Sequence, residues 1–147
     1  MDFSLRGPAS SADVDAIEDY LGKSLPADYR RFLELSDGGE GLFGVHELNL
    51  WSAAEVIETN DALDILEDFE DFLFIGGDGG SEGFGLDLSA GGSTVVVAPF
   101  LALSRATMVP ISQTFAELFL AMIAHAQGRV LLEPIPGSAT QEFPASE

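Results

Sequence analysis

Eight carboxylates fall between residues 61 and 82: Asp61, Asp64, Glu67, Asp68, Glu70, Asp71, Asp78 and Glu82. Acid–base chemistry asks for one carboxylate that is desolvated and one that stays ionised. The first six are interleaved with Leu63, Leu66 and Phe69, the pattern of a short helix or turn with a strongly acidic outer side. That run reads as a solvated face, not a catalytic dyad. Asp78 and Glu82 belong to the segment FLFIGGDGGSEGFGLDL, residues 72–88. Its glycines at 76, 77, 79, 80 and 83 are expected to supply backbone angles that other residues resist. A phosphate cradle would put such glycines before a helix N-terminus, usually with a lysine or a hydroxyl side chain. Here a strand follows and the charge is negative, so the loop is poorly suited to nucleotides. Calcium fares no better, because Asp78, Glu82 and Asp87 lack the alternate spacing and terminal Glu of an EF-hand loop.

The other groups with chemical potential are few. His125 sits near the end of a helical pattern, where a cation suits the dipole, and His46 lies in a turn region before Trp51. Both read as structural or solvated. Cysteine is absent, which removes disulfides, thiolate metal sites and cysteine nucleophiles. No HExxH, GxSxG or P-loop motif occurs, and nothing signals a Ser-His-Asp triad. Trp51, Phe72, Phe74, Phe84 and Phe100 have strand spacing and read as core, not as a ligand cage. No cofactor and no metal are expected.

The elements that carry these residues follow from periodicity. Val14, Ile17 and Leu21 share one face of a helix over about 12–21, capped by Ser10 or Ser11 and stopped by Gly22. Pro26 starts a second helix that turns Tyr29, Phe32 and Leu33 inward, and DGGEG at 37–41 ends it in a glycine turn. Leu48 to Trp51 reads as a strand. Ser52 and Glu55 form a capping box that opens a short helix through about Thr59. Strands are expected at about 72–76, 84–88, 94–98 and 107–111, with Pro110 marking an edge. Phe115, Leu118, Phe119, Met122, Ile123 and Ala126 set the period of a last helix, 113–126, followed by an extended piece at Val130–Leu132. Helices, then a run of strands with short connections, then a helix make an α+β fold whose sheet is mostly antiparallel. The division predicted is a lead-in at 1–10, one domain at 11–132 and a Pro/Ser-rich tail at 133–147.

Length and charge frame the function. A chain of 147 residues with 46% hydrophobic content can build one substantial core. Twenty-five acids against six bases give a net charge of −19. Such a chain repels nucleic acid and anionic membrane and attracts a basic partner, although solubility or an acid-biased proteome would produce the same balance. The opening MDFSLRGPASS has no apolar run of signal-peptide type, and no uncharged apolar stretch is long enough for a membrane span. The expectation is a soluble cytoplasmic protein.

Three pieces of the chain resemble the SUKH superfamily in its SMI/KNR branch. Ile17-Glu18, Leu21-Gly22, then Leu25-Pro26, Asp28-Tyr29 and Phe32-Leu33 are similar to that family's opening. Asp37-Gly38-Gly39 stands where the family usually has Asn-Gly-Gly. Phe74-Ile75-Gly76-Gly77-Asp78-Gly79-Gly80 and Leu86-Asp87-Leu88 are similar to its strand, glycine turn and following strand, and Thr114-Phe115 with Leu118-Phe119-Leu120 echoes its closing helix. The resemblance implies a central sheet flanked by helices and a protein-binding role without catalytic residues. Bacterial members look mostly like immunity proteins that neutralise toxins, often nucleases, whereas fungal members act as regulatory hubs. Two functions follow: occlusion of a basic toxin, or a regulatory scaffold with cellular partners. Charge density and exposure select Asp61, Asp64, Glu67, Asp68, Glu70 and Asp71, with Asp78 and Glu82, as the expected partner surface.

Overall fold

A computed structural model describes residues 4–43 and 46–126. The expected strand at Val130–Leu132 and the tail at 133–147 lie outside the described residues, as do the side chains of His46 and His125. Seven strands form one sheet in chain order, β1 (Ser4–Leu5), β2 (Gly39–Phe43), β3 (His46–Leu50), β4 (Phe72–Gly77), β5 (Glu82–Asp87), β6 (Thr94–Pro99) and β7 (Val109–Ser112). Every neighbouring pair is antiparallel, and Pro110 lies on the edge strand β7, the position in a sheet where proline is best tolerated. The α+β class is therefore as expected.

The helices are α1 (Ser11–Leu21), α2 (Ala27–Leu35), α3 (Ala53–Ala62), α4 (Ile65–Asp68) and α5 (Phe115–Ala126). Ser10 caps α1 by accepting from the Asp13 amide at 3.0 Å, and Gly22 ends it in the left-handed region at φ 82°. The predicted capping box of Ser52 and Glu55 is present on α3. Hydrogen bonds of the Glu55 carboxylate to the Ser52 backbone, then its contacts with the Ser52 hydroxyl and Arg6, hold its pKa below the ordinary range.

Four expectations need correction. The glycine turn at 37–41 is the start of β2, because Gly39, Glu40 and Gly41 pair with Leu50, Asn49 and Leu48. The strand expected at 48–51 begins at His46, and Trp51 lies beyond its end. The lead-in carries β1, held to β2 through Ser4–Glu40 and Leu5–Gly39. Residues 60–71 are not one short helix: α3 runs on to Ala62, Asp64 takes a left-handed φ of 55°, and α4 adds a single turn. Asp tolerates that conformation better than most residues.

Alternation along β4 sends neighbouring side chains into two cores. Leu73 and Ile75 join Phe84, Leu86, Val95 and the buried faces of α1, α2, α3 and α5. Phe72 and Phe74 join Ile65, Val96 and Ala98 on the opposite face. β3 pairs with β4 only at Asn49–Gly77 and Leu50–Gly76. Beyond that point α3 takes over the β4 edge. The buried Asn60 donates to the Phe74 carbonyl at 2.8 Å and to the Val56 carbonyl at 2.7 Å, and accepts from the Phe74 amide at 2.9 Å.

Candidate partner-binding surface

The glycines of the 72–88 segment do a different job from the one expected. Among Gly76, Gly77, Gly79, Gly80 and Gly83, only Gly79 has a positive φ, 84°. Gly76 is needed because a Cβ there would run into the Asn49 carbonyl of β3. On the second face, a Cβ at Gly85 would strike the Phe72 ring, and one at Gly83 would strike Phe100 and Phe74. Bare backbone at these positions makes a flat bed on which aromatic rings lie. Phe72 meets Phe74 edge-on at 4.9 Å, Phe74 meets Phe100 at 4.9 Å, and Phe100 stacks on Trp51 at 5.9 Å.

This row of rings leads out of the core. Phe72 and Phe74 are fully buried, whereas Trp51 and Phe100 are half-buried. Their open faces line a groove of about 440 Å³ with Thr59, Leu63, Gly80, Ser81 and the stretch Pro99 to Ala102. Leu101 stands at its lip, 89% exposed. The groove is out of reach of sequence reasoning for a plain reason. Trp51 and Phe100 have the spacing of core residues, and nothing in one chain says which rings end a row. The available signal was the apolar run Pro99-Phe100-Leu101-Ala102 in a connection between strands, where polar residues are the rule.

The expected acidic residues have different surroundings. Asp61 and Asp64 lie by Tyr20 of α1, whose phenol is raised by its burial first and then by these two charges. Asp71 pairs with Lys23. Asp78 and Glu82 lie at the other end of β4 from Asp71, and the six residues of that strand span about 20 Å. Asp78 closes the turn: its Oδ1 accepts from the Gly80 amide at 2.8 Å and the Glu82 amide at 3.3 Å. Glu82 is the exposed first residue of β5, and its carbonyl accepts from the Asp78 amide at 3.0 Å.

Three arginines are engaged elsewhere. Arg30 contacts Asp15 at 2.9 Å, Glu18 at 3.0 Å and Glu34 at 3.1 Å, Arg6 contacts Glu55 at 3.4 Å, and Arg105 contacts Asp87 at 2.9 Å. Among the described residues, Asp61, Asp64, Glu67, Asp68 and Glu70 have no cation within salt-bridge distance. No three His, Cys, Asp or Glu side chains among them are placed to hold a metal ion, and no described helix is long and apolar enough to cross a membrane.

The residues that carry the family resemblance are occupied with holding the frame. Asp28 accepts from the Tyr29 amide at 2.7 Å and reaches across to the Ala116 amide, at 2.9 Å, in the first turn of α5. Asp37 accepts from the Ala53 amide at 2.7 Å, at the start of α3. Each carboxylate satisfies an orphan helix N–H and meets the positive end of a helix. Glu18 accepts from the Leu25 amide at 2.9 Å and so ties α1 to the segment before α2. Gly38 turns at φ 94° with its Cα against the Leu50 and Trp51 backbone, where a Cβ has no room.

The model of the SMI1 / KNR4 family (SUKH-1) matches residues 8–121, a span that holds all of these bracing contacts. The chain belongs to the SMI1/KNR4 family. No curated protein matches it. For a member of this family the division of labour is clear in these contacts. Glu18, Asp28, Asp37 and Gly38 brace helices and strands, whereas the groove and the unpaired acids lie on surfaces that the bracing leaves open. The contact of Asp37 with the Ala53 amide uses only one of the two Asp37 side-chain oxygens.

Proposed function

We propose that this SMI1/KNR4-family chain is an immunity-type binding module that neutralises a basic toxin by covering its working surface. A nuclease is the toxin class that fits the charge best. Such an enzyme holds phosphates with Lys and Arg, so its site is positive, and an acidic cover gains association rate by steering. The observation that carries the reading is the set Asp61, Asp64, Glu67, Asp68 and Glu70, which has no cation at salt-bridge distance among the described residues. Asp71 contributes less, being tied to Lys23. Asp78 and Glu82 can still belong to the same interface. A patch of about 800 Å² per partner is roughly 30 Å across, enough to span the length of β4.

The test is stopped-flow association with the protein encoded by the adjacent gene across a NaCl series. The on-rate should fall steeply with salt. Reversing Asp61, Glu67 and Asp68 together to Lys should slow association roughly tenfold at low salt and leave the thermal unfolding curve nearly unchanged. A salt-independent on-rate, or full protection against the toxin by the triple variant, sinks the proposal. Capture of a cellular partner with no toxic activity would favour the regulatory-scaffold reading instead.

A further inference from the structure

The charged surface accounts for approach, and the groove beside it accounts for something else. Its lining is apolar: Trp51, Leu63, Pro99, Phe100 and Leu101 supply faces and methyl groups, and Gly80, Ser81 and Ala102 are too small to cover them. Leu101 at 89% exposure is held out in water by the chain itself, at the end of β6. Apolar surface kept open and bordered by charge marks contact with another molecule. The border is negative. The exposed Glu47 lies against Gly79, next to Gly80. Glu47 has no cation at salt-bridge distance among the described residues.

We infer that this groove takes a bulky apolar side chain of a protein partner, Leu or Phe in size, carried beside a Lys or Arg residue that meets Glu47. The inference rests on the protein-binding function proposed above and adds the chemistry of the contact. Charge complementarity selects a basic flank over an acidic one. The volume of about 440 Å³ is in the range that holds a small group of side-chain size and more. A buried apolar anchor with charges at its rim is how protein interfaces concentrate their affinity. The open faces of Trp51 and Phe100 give the anchor stacking surfaces backed by Phe74, so the floor is rigid before the partner arrives.

Trp51 is the sole tryptophan and lines the groove, so its emission reports occupancy directly. The probe is an amidated hexapeptide with Leu-Phe between two pairs of lysines, titrated into the full chain, with hexalysine as control. The Leu-Phe peptide should shift Trp51 emission to shorter wavelength in a saturable way, and hexalysine should not. Leu101→Ser removes an exposed side chain that packs on little, so folding should hold, while peptide affinity should fall about tenfold. No shift with the Leu-Phe peptide, the same shift with hexalysine, or unchanged affinity in Leu101→Ser overturns the inference. A shift driven by protein concentration alone would assign the groove to a second copy of the chain and overturn it as well. The two proposals fail separately. If the toxin binds with a salt-dependent on-rate and Leu101→Ser leaves its dissociation unchanged, the groove inference falls and the immunity reading stands. If no basic partner exists and the peptide binds as expected, the toxin falls and the groove stands.

Discussion

The Asn60 amide makes its three hydrogen bonds to backbone groups, two of them on Phe74 of β4. It therefore supplies what a neighbouring strand would have supplied. Removing it leaves the Phe74 N–H and C=O buried without partners, and each such group costs about 1–3 kcal/mol. Asn60→Ala should lower stability by about 3 kcal/mol in urea unfolding, with most of the effect kept by Asn60→Leu, which restores volume but no hydrogen bond. A loss below about 1 kcal/mol would mean that β4 finds other partners. None of this was legible in the residue itself, because a polar residue in an acidic run looks wet. The same limit explains the glycines: sequence shows that Gly83 and Gly85 lack side chains, but only the sheet shows which rings use the space.

At the scale of elements, the links between strands and turns carry ionisation. Asp87 at the end of β5 is partly buried, which works against its charge. Hydrogen bonds from Ser89 and the Arg105 guanidinium outweigh that and hold its pKa below the usual carboxylate range. A lowered folded-state pKa contributes stability that is present above the unfolded value and lost as pH falls through the folded one. Asp87→Asn should thus be less stable than the parent at neutral pH, and the gap in thermal midpoint should close as pH drops below about 4. A gap that stays constant with pH would assign the effect to packing. The helices with a clear apolar face, α1, α2 and α5, were legible in sequence with their bounds nearly right. The short strands β1 and β2 were not. Ser4–Leu5 and the glycine-rich Gly39–Phe43 have little strand propensity, and the pairing of β2 with β3 and of β1 with β2 overrides it. The acidic run from Asp61 was legible as a charged surface, but not the length of β4 that stands between Asp71 and Asp78.

Across the whole molecule the net charge of −19 should act on the fold as well as on partners. Acids without cations repel one another in the compact state, and the repulsion is screened by salt. The thermal midpoint should therefore rise by several degrees from about 10 mM to about 0.5 M NaCl, well beyond the Debye crossover near 10 Å at 0.1 M. A flat midpoint over that range would show that the acids are spaced widely enough to ignore each other. The same salt that firms the fold should slow the approach of a basic partner, so stability and association rate are expected to move in opposite directions.

The sheet runs in chain order from β1 to β7, and that order has a meaning in time. Each strand from β2 onward, as the ribosome releases it, finds its antiparallel neighbour among the residues just made, so loop closure is short for most of the ladder. The helices do not share this advantage. Asp28 in α2 must wait for the Ala116 amide, 88 residues later, before its second carboxylate oxygen is satisfied. Until α5 emerges, the Tyr29 and Phe32 rings that will pack on Phe115 face solvent. The nascent chain thus carries a hydrophobic surface through most of its synthesis, and closure of α5 onto α2 is the event that ends its exposure to aggregation.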